Sequence, residues 1–219
     1  MKRFFFLCFL SLAFLPIGIA EDSPLTGLEA VSFQNVRIES SFWARRIQTN
    51  HDVTVPHCLD WCEKTGRISN FAKAGGLMDG KFEGIYFNDS DVYKVLEGVS
   101  YALALKPDDA LETRLNGIIE KIAAAQQDNG YLNSYYTLKE PENKWSNLKD
   151  KHELYCAGHL IEAGVAHFQA TGEENLLNVA RRFVQLIDKK FGPDQRRDVP
   201  GHEEIELALI RLYHLTDNQ

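Results

Sequence analysis

HELYCAGHLIEAGVAHFQAT, residues 152–171, decides the fold of this chain, and GHEEIELALIRLYHLT, residues 201–216, repeats its grammar. In the first stretch Leu154, Gly158, Ile161, Val165 and Phe168 recur at spacings of 4, 3, 4 and 3. That spacing puts them on one stripe of an α-helix and marks the stripe as core. His152, Cys156 and His159 fall on a second stripe, where positions seven apart lie nearly above one another, about 10.5 Å apart along the axis. Polar side chains beside an apolar seam either face solvent or line a cavity. In the second stretch a histidine beside acidic residues is again followed by apolar side chains on one helical face, Ile205, Ala208, Leu209 and Leu212. Each stretch ends in a turn-like segment, Thr171-Gly172 or Thr216-Asp217-Asn218. The repeat distance of roughly 50 residues is that of one helical hairpin with its loops.

The flanking sequence extends the helical pattern in both directions. A partner helix from Asn175 to Lys190 is stopped by Gly192-Pro193, and another spans about Ala110 to Gln127 with Leu111, Leu115, Ile118, Ile119 and Ile122 inward. Between them Asp128-Asn129-Gly130 reads as a turn that delivers Tyr131, Tyr135 and Tyr136 just beyond a helix end. Ser90 and Asp91 are placed to cap a helix whose Val92, Val95, Leu96, Val99 and Leu103 form a core stripe ending near Pro107. Between Ile68 and Ser90 lies a segment with four glycines, Gly75, Gly76, Gly80 and Gly84, and four aromatic residues, Phe71, Phe82, Tyr86 and Phe87. It has no clear period and is long for a plain connection, which makes it a place for binding residues. Phe42 and Trp43 open a helix toward Val55, and Pro56 starts the next, which turns Leu59 and Cys62 inward and stops at Gly66. From Leu28 to Ser40, Val31, Phe33, Val36 and Ile38 alternate and predict a short strand or hairpin. Nothing signals a parallel sheet. The class is all-α with a small β addition.

The first 20 residues stand apart. Lys2 and Arg3 precede an apolar run of 12 from Phe4 to Leu15, and Gly18-Ile19-Ala20 puts small residues at both positions that a signal peptidase reads before a cut after Ala20. A bilayer span needs about 20 apolar residues, so the segment reads as a secretory signal peptide and the product as secreted or periplasmic. Removing Lys2 and Arg3 leaves 22 basic against 31 acidic side chains, a net charge of −9. That balance disfavours nucleic acid and anionic membranes as partners, since both reward clustered cations; a neutral, polyhydroxylated ligand fits it better. Cys58, Cys62 and Cys156 then remain. Cys58 and Cys62 are neighbours on one helical face, where a disulfide constrains little chain; they read as small buried residues of a seam, with a zinc pair beside His57 as the alternative. His152, Cys156 and His159, spread over two turns of one helix, do not readily converge on one zinc ion.

Hairpins repeating at this spacing close into α/α toroids, and six of them need on the order of 300 residues or more. This chain holds about three, so the expectation is an incomplete toroid, the N-terminal part of a larger fold. Its open edge would leave Ile205, Leu209 and Leu212 without partners and the chain poorly soluble.

NFAKAGG, FNDSDVYKVLEGVSYALA, AAAQQDNGYLNSYYT, HELYCAGHLIEAGVAHFQATG and PGHEEIELALIRLYHLTD together resemble the N-terminal half of glycoside hydrolase family 127, the β-L-arabinofuranosidase-like proteins, over about residues 33–217. The resemblance implies that residues 21–219 are the N-terminal part of an (α/α)6-barrel catalytic domain followed by β-sandwich domains. It also implies a retaining, exo-acting enzyme that takes a carbohydrate substrate, terminal β-L-arabinofuranose on plant-derived glycans. A cysteine thiolate nucleophile held on zinc by Cys and Glu ligands, and a Glu as general acid/base, are implied for residues beyond Gln219. None of Cys58, Cys62 or Cys156 matches the nucleophile motif, so no catalytic role passes to them. Zinc is expected in the full-length family enzyme and not on this chain.

What carries over is the sugar-facing lining. His152 in HELYCAGH and His202 in PGHEEIE match family positions that hydrogen-bond the arabinose, and an imidazole can donate to one hydroxyl while accepting from another. His159, Asp89, Asp91, Asn70 and Tyr131 are placed near the pocket. Their plainer roles are a packed histidine for His159, a helix-end charge for Asp91 and loop locks for Asn70 and Tyr131. Two other functions compete. One is a sugar-binding remnant without cleavage. The other is a different α/α-toroid enzyme, an unsaturated glucuronyl hydrolase or lyase, which would need Arg or Lys for an anionic substrate where this chain is rich in His and acid.

Overall fold

A computed structural model describes residues 31–192 and 194–216; the signal segment read at residues 1–20 lies outside them. The chain divides into two compact units, Met1–Val36 and Arg37–Gln219. Of the first only residues 31–36 are described, and there Phe33–Asn35 forms a single 3-10 turn. The strand or hairpin expected between Leu28 and Ser40 is not formed by the described residues. Val31, Val36 and Ile38 alternate as predicted, but all three are exposed and no extended segment pairs with them. Alternation specifies a strand only where one face is buried. Residues 28–30 lie outside the described residues.

The second unit is helical. Helices α1 (Ser41–Thr49) and α2 (Val55–Lys64) are joined by a π-helical turn, Asn50–Thr54, so the chain does not stop where a new start at Pro56 is predicted. Pro56 has no N–H for the carbonyl of Asp52, four residues back, and its ring crowds that carbonyl; the wider turn accommodates both. Helix α3 (Arg67–Ala74) occupies the front of the segment read as a long loop, with Ile68, Phe71 and Ala72 buried. Helix α4 (Asn88–Leu105) begins earlier than predicted, so Ser90 and Asp91 do not cap it. Ser90 Oγ donates to the Phe87 carbonyl at 2.8 Å, and Asp91 accepts from Arg67 Nε at 2.8 Å. Helix α5 (Asp109–Ala125) is capped by Asp108, whose carboxylate accepts from the N–H groups of Ala110 and Leu111 at 3.0 Å. Its five predicted inward residues are all buried. Short helices α6 (Ser134–Leu138) and α7 (Leu148–Lys151) lead into α8 (Glu153–Thr171), α9 (Asn175–Lys190) and α10 (Glu204–Thr216).

Helix α8 is the centre, packed by α4, α9 and α10. Leu154, Ile161 and Val165 are buried as the spacing predicts, Phe168 is half-buried, and Ala157, Leu160, Ala163 and Ala166 are buried around the rest of the helix. Contacts advance in step along three helices. Cys156 Sγ lies 3.9 Å from the Phe87 carbonyl, Gly158 abuts Glu204, and Glu162 and Glu97 share Arg211. Hence α4, α8 and α10 run side by side in one direction with their N-terminal ends together. Helices α5 and α9 return behind them, joined by Gln126 Nε2 donating to the Val179 carbonyl at 2.8 Å. The result is two layers of helical hairpins. Ile205 and Leu212, expected at an open edge, are instead buried against α8, with Leu209 half-buried. The exposed apolar residues of α10 are Leu207 and Ile210, each 55% exposed, and Tyr213. No described helix is long and apolar enough to cross a membrane.

Two of the buried carboxyl groups lie in the first turns of α4 and α8. Glu153 accepts from Tyr131 Oη at 2.6 Å and from the Trp145 N–H at 2.7 Å, and burial pushes its pKa up to about 7. Asp89 accepts from the Ser134 N–H at 2.7 Å and from the Ser134 hydroxyl, and burial pushes it up to about 6. Both folded values lie above the ordinary carboxyl range, so the folded state keeps its protons longer. Their contribution to stability is whole below about pH 4 and drains as pH rises toward 7. Asp52, held at about 2, chiefly by hydrogen bonds from Gln48, His51 and Lys106, works in the opposite sense but below that window. Histidines whose pKa burial lowers, His159 foremost at about 4, work in the opposite sense across the same window, so the assignment is read by difference. Urea unfolding should show the stability advantage of the wild type over Asp89→Asn falling by roughly 1–3 kcal/mol between pH 4.5 and pH 7.5, and a constant or rising difference would contradict it. Gly158→Ala supplies a second check. Alanine gains up to about 1 kcal/mol in helix propensity, but its Cβ would lie 2.6 Å from Glu204 Cγ and 3.0 Å from that residue's backbone carbonyl. The clash should win, with a net loss of about 1–3 kcal/mol in the same assay, and a stabilised variant would show that the helices are not in that contact.

Candidate functional site

The aligned N-terminal ends of α4, α8 and α10 gather a cluster of rings. His152 sits at the junction of α7 and α8 with φ +61°, the left-handed region that non-glycine residues seldom occupy. Its carbonyl accepts the first helical bond of α8, from Cys156 N–H at 2.9 Å. This backbone turns the imidazole out of the helix and toward Tyr86, Phe87, Tyr155 and His202, with centroid distances of 5.5, 5.5, 5.5 and 4.8 Å. Its Nδ1 is buried and has no hydrogen-bond partner among the described residues. His202 is brought in by Gly201, which lies so close to the Lys149 carbonyl that any Cβ would overlap it. Only glycine lets the approach to α10 press against α7.

One turn along α8, Tyr155 lies 4.9 Å from His202 and 4.5 Å from His159, ring to ring. Lys94 Nζ of α4 donates to Tyr155 Oη at 2.6 Å and stands 4.8 Å from the ring centroid. His159 Nδ1 faces Glu204 Oε1 at 3.0 Å. Burial, aided by the Lys94 charge and by His202, pushes His159 down to about 4 against the pull of Asp91. Burial and His202 likewise lower His152, while burial with the charges of Glu162 and Glu97 raises Glu204. The His159–Glu204 contact is therefore not an ion pair at neutral pH. A neutral imidazole offers one N–H and one lone pair, the combination a sugar hydroxyl can use from either side. Tyr86 and Phe87, with Tyr135 behind Tyr86 at 6.1 Å, supply apolar ring surface beside them.

The remaining predicted residues are committed elsewhere. Asn70 is fully buried, and its amide both donates to the Glu83 carbonyl at 2.8 Å and accepts from the Glu83 N–H at 3.0 Å. It locks the loop after α3. Asp89 and Tyr131 are spent on the buried pairs with Ser134 and Glu153, and Asp91 is half-exposed and paired with Arg67. The structure thus unites His152, His202 and His159 and places Asn70, Asp89, Asp91 and Tyr131 in the frame around them. Cys156, read on the same stripe as the two histidines, turns instead toward the start of α4, and burial holds its thiol well above the usual range.

Zinc does not fit the described residues. No group of three or more His, Cys, Asp or Glu side chains among them could hold a metal ion.

Tyr155, Lys94 and Glu204 are absent from the sequence-based candidates. Tyr155 was findable, since it stands three residues after His152 and four before His159 and so shares their face. Lys94 and Glu204 reach the cluster only through packing of α4 and α10, for which no local signal exists.

Residues 35–219 match the family model described as beta-L-arabinofuranosidase, GH127 catalytic domain. A non-reducing end beta-L-arabinofuranosidase from Bifidobacterium longum subsp. longum is 38% identical over 209 aligned positions, covering 83% of this chain and 32% of that protein. The fold is similar to the crystal structure of a GH127 beta-L-arabinofuranosidase from Geobacillus stearothermophilus T6, with a TM-score of 0.82 and 44% identity over 84% of this chain and 30% of that one. It is similar also to a further GH127 beta-arabinofuranosidase structure, with a TM-score of 0.79 and 38% identity over 86% of this chain and 31% of that one. The chain spans about a third of the length of these relatives. Because the matched segment takes in every described α-helix and the ring cluster at the shared end of α4, α8 and α10, this chain belongs to the glycoside hydrolase family 127 catalytic-domain family.

Proposed function

We propose that this chain forms one wall of the sugar pocket of a retaining, exo-acting β-L-arabinofuranosidase, exported by residues 1–20 and acting on terminal β-L-arabinofuranose of plant-derived glycans. One observation carries the reading: the imidazoles of His152 and His202 stand 4.8 Å apart at the paired ends of α8 and α10, beside Tyr86 and Phe87. A furanose laid against the outer side of these touching rings would meet imidazole and aromatic surface together. His159 extends the polar lining behind Tyr155. The two-layered hairpins are one arc of an (α/α)6 ring, and the nucleophile, its zinc and the general acid/base are supplied by the part of such an enzyme not represented in this sequence. Cys58, Cys62 and Cys156 take no step of the reaction.

A second reading, saccharide binding without cleavage, needs no more than the imidazole and aromatic rings of the cluster. Family membership argues against the glucuronyl hydrolase or lyase alternative.

Calorimetry with methyl β-L-arabinofuranoside tests the pocket. His152→Ala or His202→Ala should each weaken binding about 5–10-fold, the worth of one hydrogen bond of about 1 kcal/mol or slightly more, while the exposed Asp188→Ala leaves it unchanged. The chain alone should release no nitrophenol from the aryl β-L-arabinofuranoside. Absence of binding, or turnover that His152→Ala abolishes, would overturn the proposal.

A further inference from the structure

We infer that Lys94 and Tyr155 are positioning residues for the imidazole cluster: the Lys94 ammonium pins the Tyr155 phenol, and the pinned ring sets His159 and His202 against the sugar side of His152. The inference rests on the carbohydrate reading only for what the cluster grips. Its geometry stands apart. Tyr155 is the one ring that touches all three histidines, at 5.5, 4.5 and 4.9 Å, and it meets His159 edge-on at 89°. Edge-to-face contacts of this kind hold orientation as well as area.

A tyrosine at a helix surface swings freely unless its hydroxyl is held. Here the hydroxyl is held at 2.6 Å by Lys94 from the neighbouring α4, with the ammonium also within cation–π range of the ring. Among the described residues no carboxylate lies within ion-pair range of Lys94, whereas Arg67 is committed to Asp91 and Arg211 to Glu97 and Glu162. The Lys94 charge therefore acts on the rings. The other charged groups that face the cluster are Asp91 with Arg67 from α4 and α3, Glu204 against His159 from α10, and, from α7, Asp150 near His152 and Lys151 over Tyr86. Lys94 opposes the carboxylates that would draw a proton onto His159, and a neutral imidazole keeps the acceptor nitrogen that a hydroxyl needs.

Histidine-selective NMR titration of the chain, without sugar, compares the wild type with Lys94→Met, Lys94→Arg and Tyr155→Phe. Lys94 is exposed, so its variants should fold. In Lys94→Met the His159 midpoint should rise above about 4, while burial, the larger cause, still holds it below the ordinary imidazole value, and Lys94→Arg should restore it. Calorimetry with methyl β-L-arabinofuranoside should show at least a roughly threefold loss of affinity in Lys94→Met and Tyr155→Phe, again restored by Lys94→Arg. An unshifted titration overturns the inference. So does a shifted titration with unchanged affinity. If the wild type binds no sugar while His159 still answers to Lys94→Met, the positioning stands and the carbohydrate reading falls.

Discussion

At Gly158 the backbone of α10 comes so near α8 that an added Cβ would meet the carbonyl of Glu204 at 3.0 Å. Two helices approach this closely only where one offers no side chain, and the consequence spreads outward. With α10 drawn in, Ile205, Ala208 and Leu212 reach the α8 seam and are buried, which at about 25 cal/mol per Å² of apolar surface is the main favourable term for the pair. The same approach carries the N-terminal end of α10 to that of α8. Gly201, pressed on the Lys149 carbonyl, then completes the placement of His202 beside His152. Packing and pocket are thus set by the same two glycines.

A paired polar network crosses this seam. Arg211 of α10 reaches Glu162 of α8, Glu97 of α4 at 3.4 Å and Tyr101 Oη at 2.9 Å, which ties the three parallel helices at a level deeper than the rings. Such a network adds little net stability over an apolar core of the same shape, because desolvation offsets the Coulomb gain. Its effect is to fix register, since a helix that slipped by one turn would leave Glu162 charged and unpaired. Glu153 and Asp89 do the same for the loops, joining Tyr131, Trp145 and Ser134 to the helix ends. In the ring cluster two imidazole nitrogens, His152 Nδ1 and His159 Nε2, are buried without a partner among the described residues. Other buried atoms such as Tyr93 Oη and His167 Nδ1 share that condition, but among the described residues only His152 combines it with a left-handed backbone, at φ +61°, a coincidence of unpaired polarity and strain that points to a ligand.

Much of this was legible in the sequence. The seams of α5 and α8 and the bounds of α9 follow from apolar spacing and from the Gly192 stop, because long amphipathic helices report their own period. Helix α3 was hidden because eight residues beside a glycine-rich stretch carry too little period. The strand expected near Val31–Ile38 failed because alternation says nothing about whether a partner exists. His152 and His202 were proposed from family motifs, with Tyr155 standing unnoticed on the face between two flagged histidines. Asn70, Asp89 and Tyr131 were flagged as polar residues near the pocket; all three are buried and hydrogen-bonded to Glu83, Ser134 and Glu153, pairings that only three dimensions reveal. The faces of α10 were separable only once α8 was seen to cover Ile205 and Leu212 and to leave Leu207 and Ile210 outside.

The central claim is that the ends of α8 and α10 close on one furanose. A crystal structure of the chain soaked with methyl β-L-arabinofuranoside measures it directly. The sugar should lie with separate hydroxyls about 3 Å from ring nitrogens of both His152 and His202, its carbon face along Tyr86 or Phe87. A sugar found away from both imidazoles, such as in the groove that Trp43, Ile47 and Tyr101 line between α1 and α4, would contradict it.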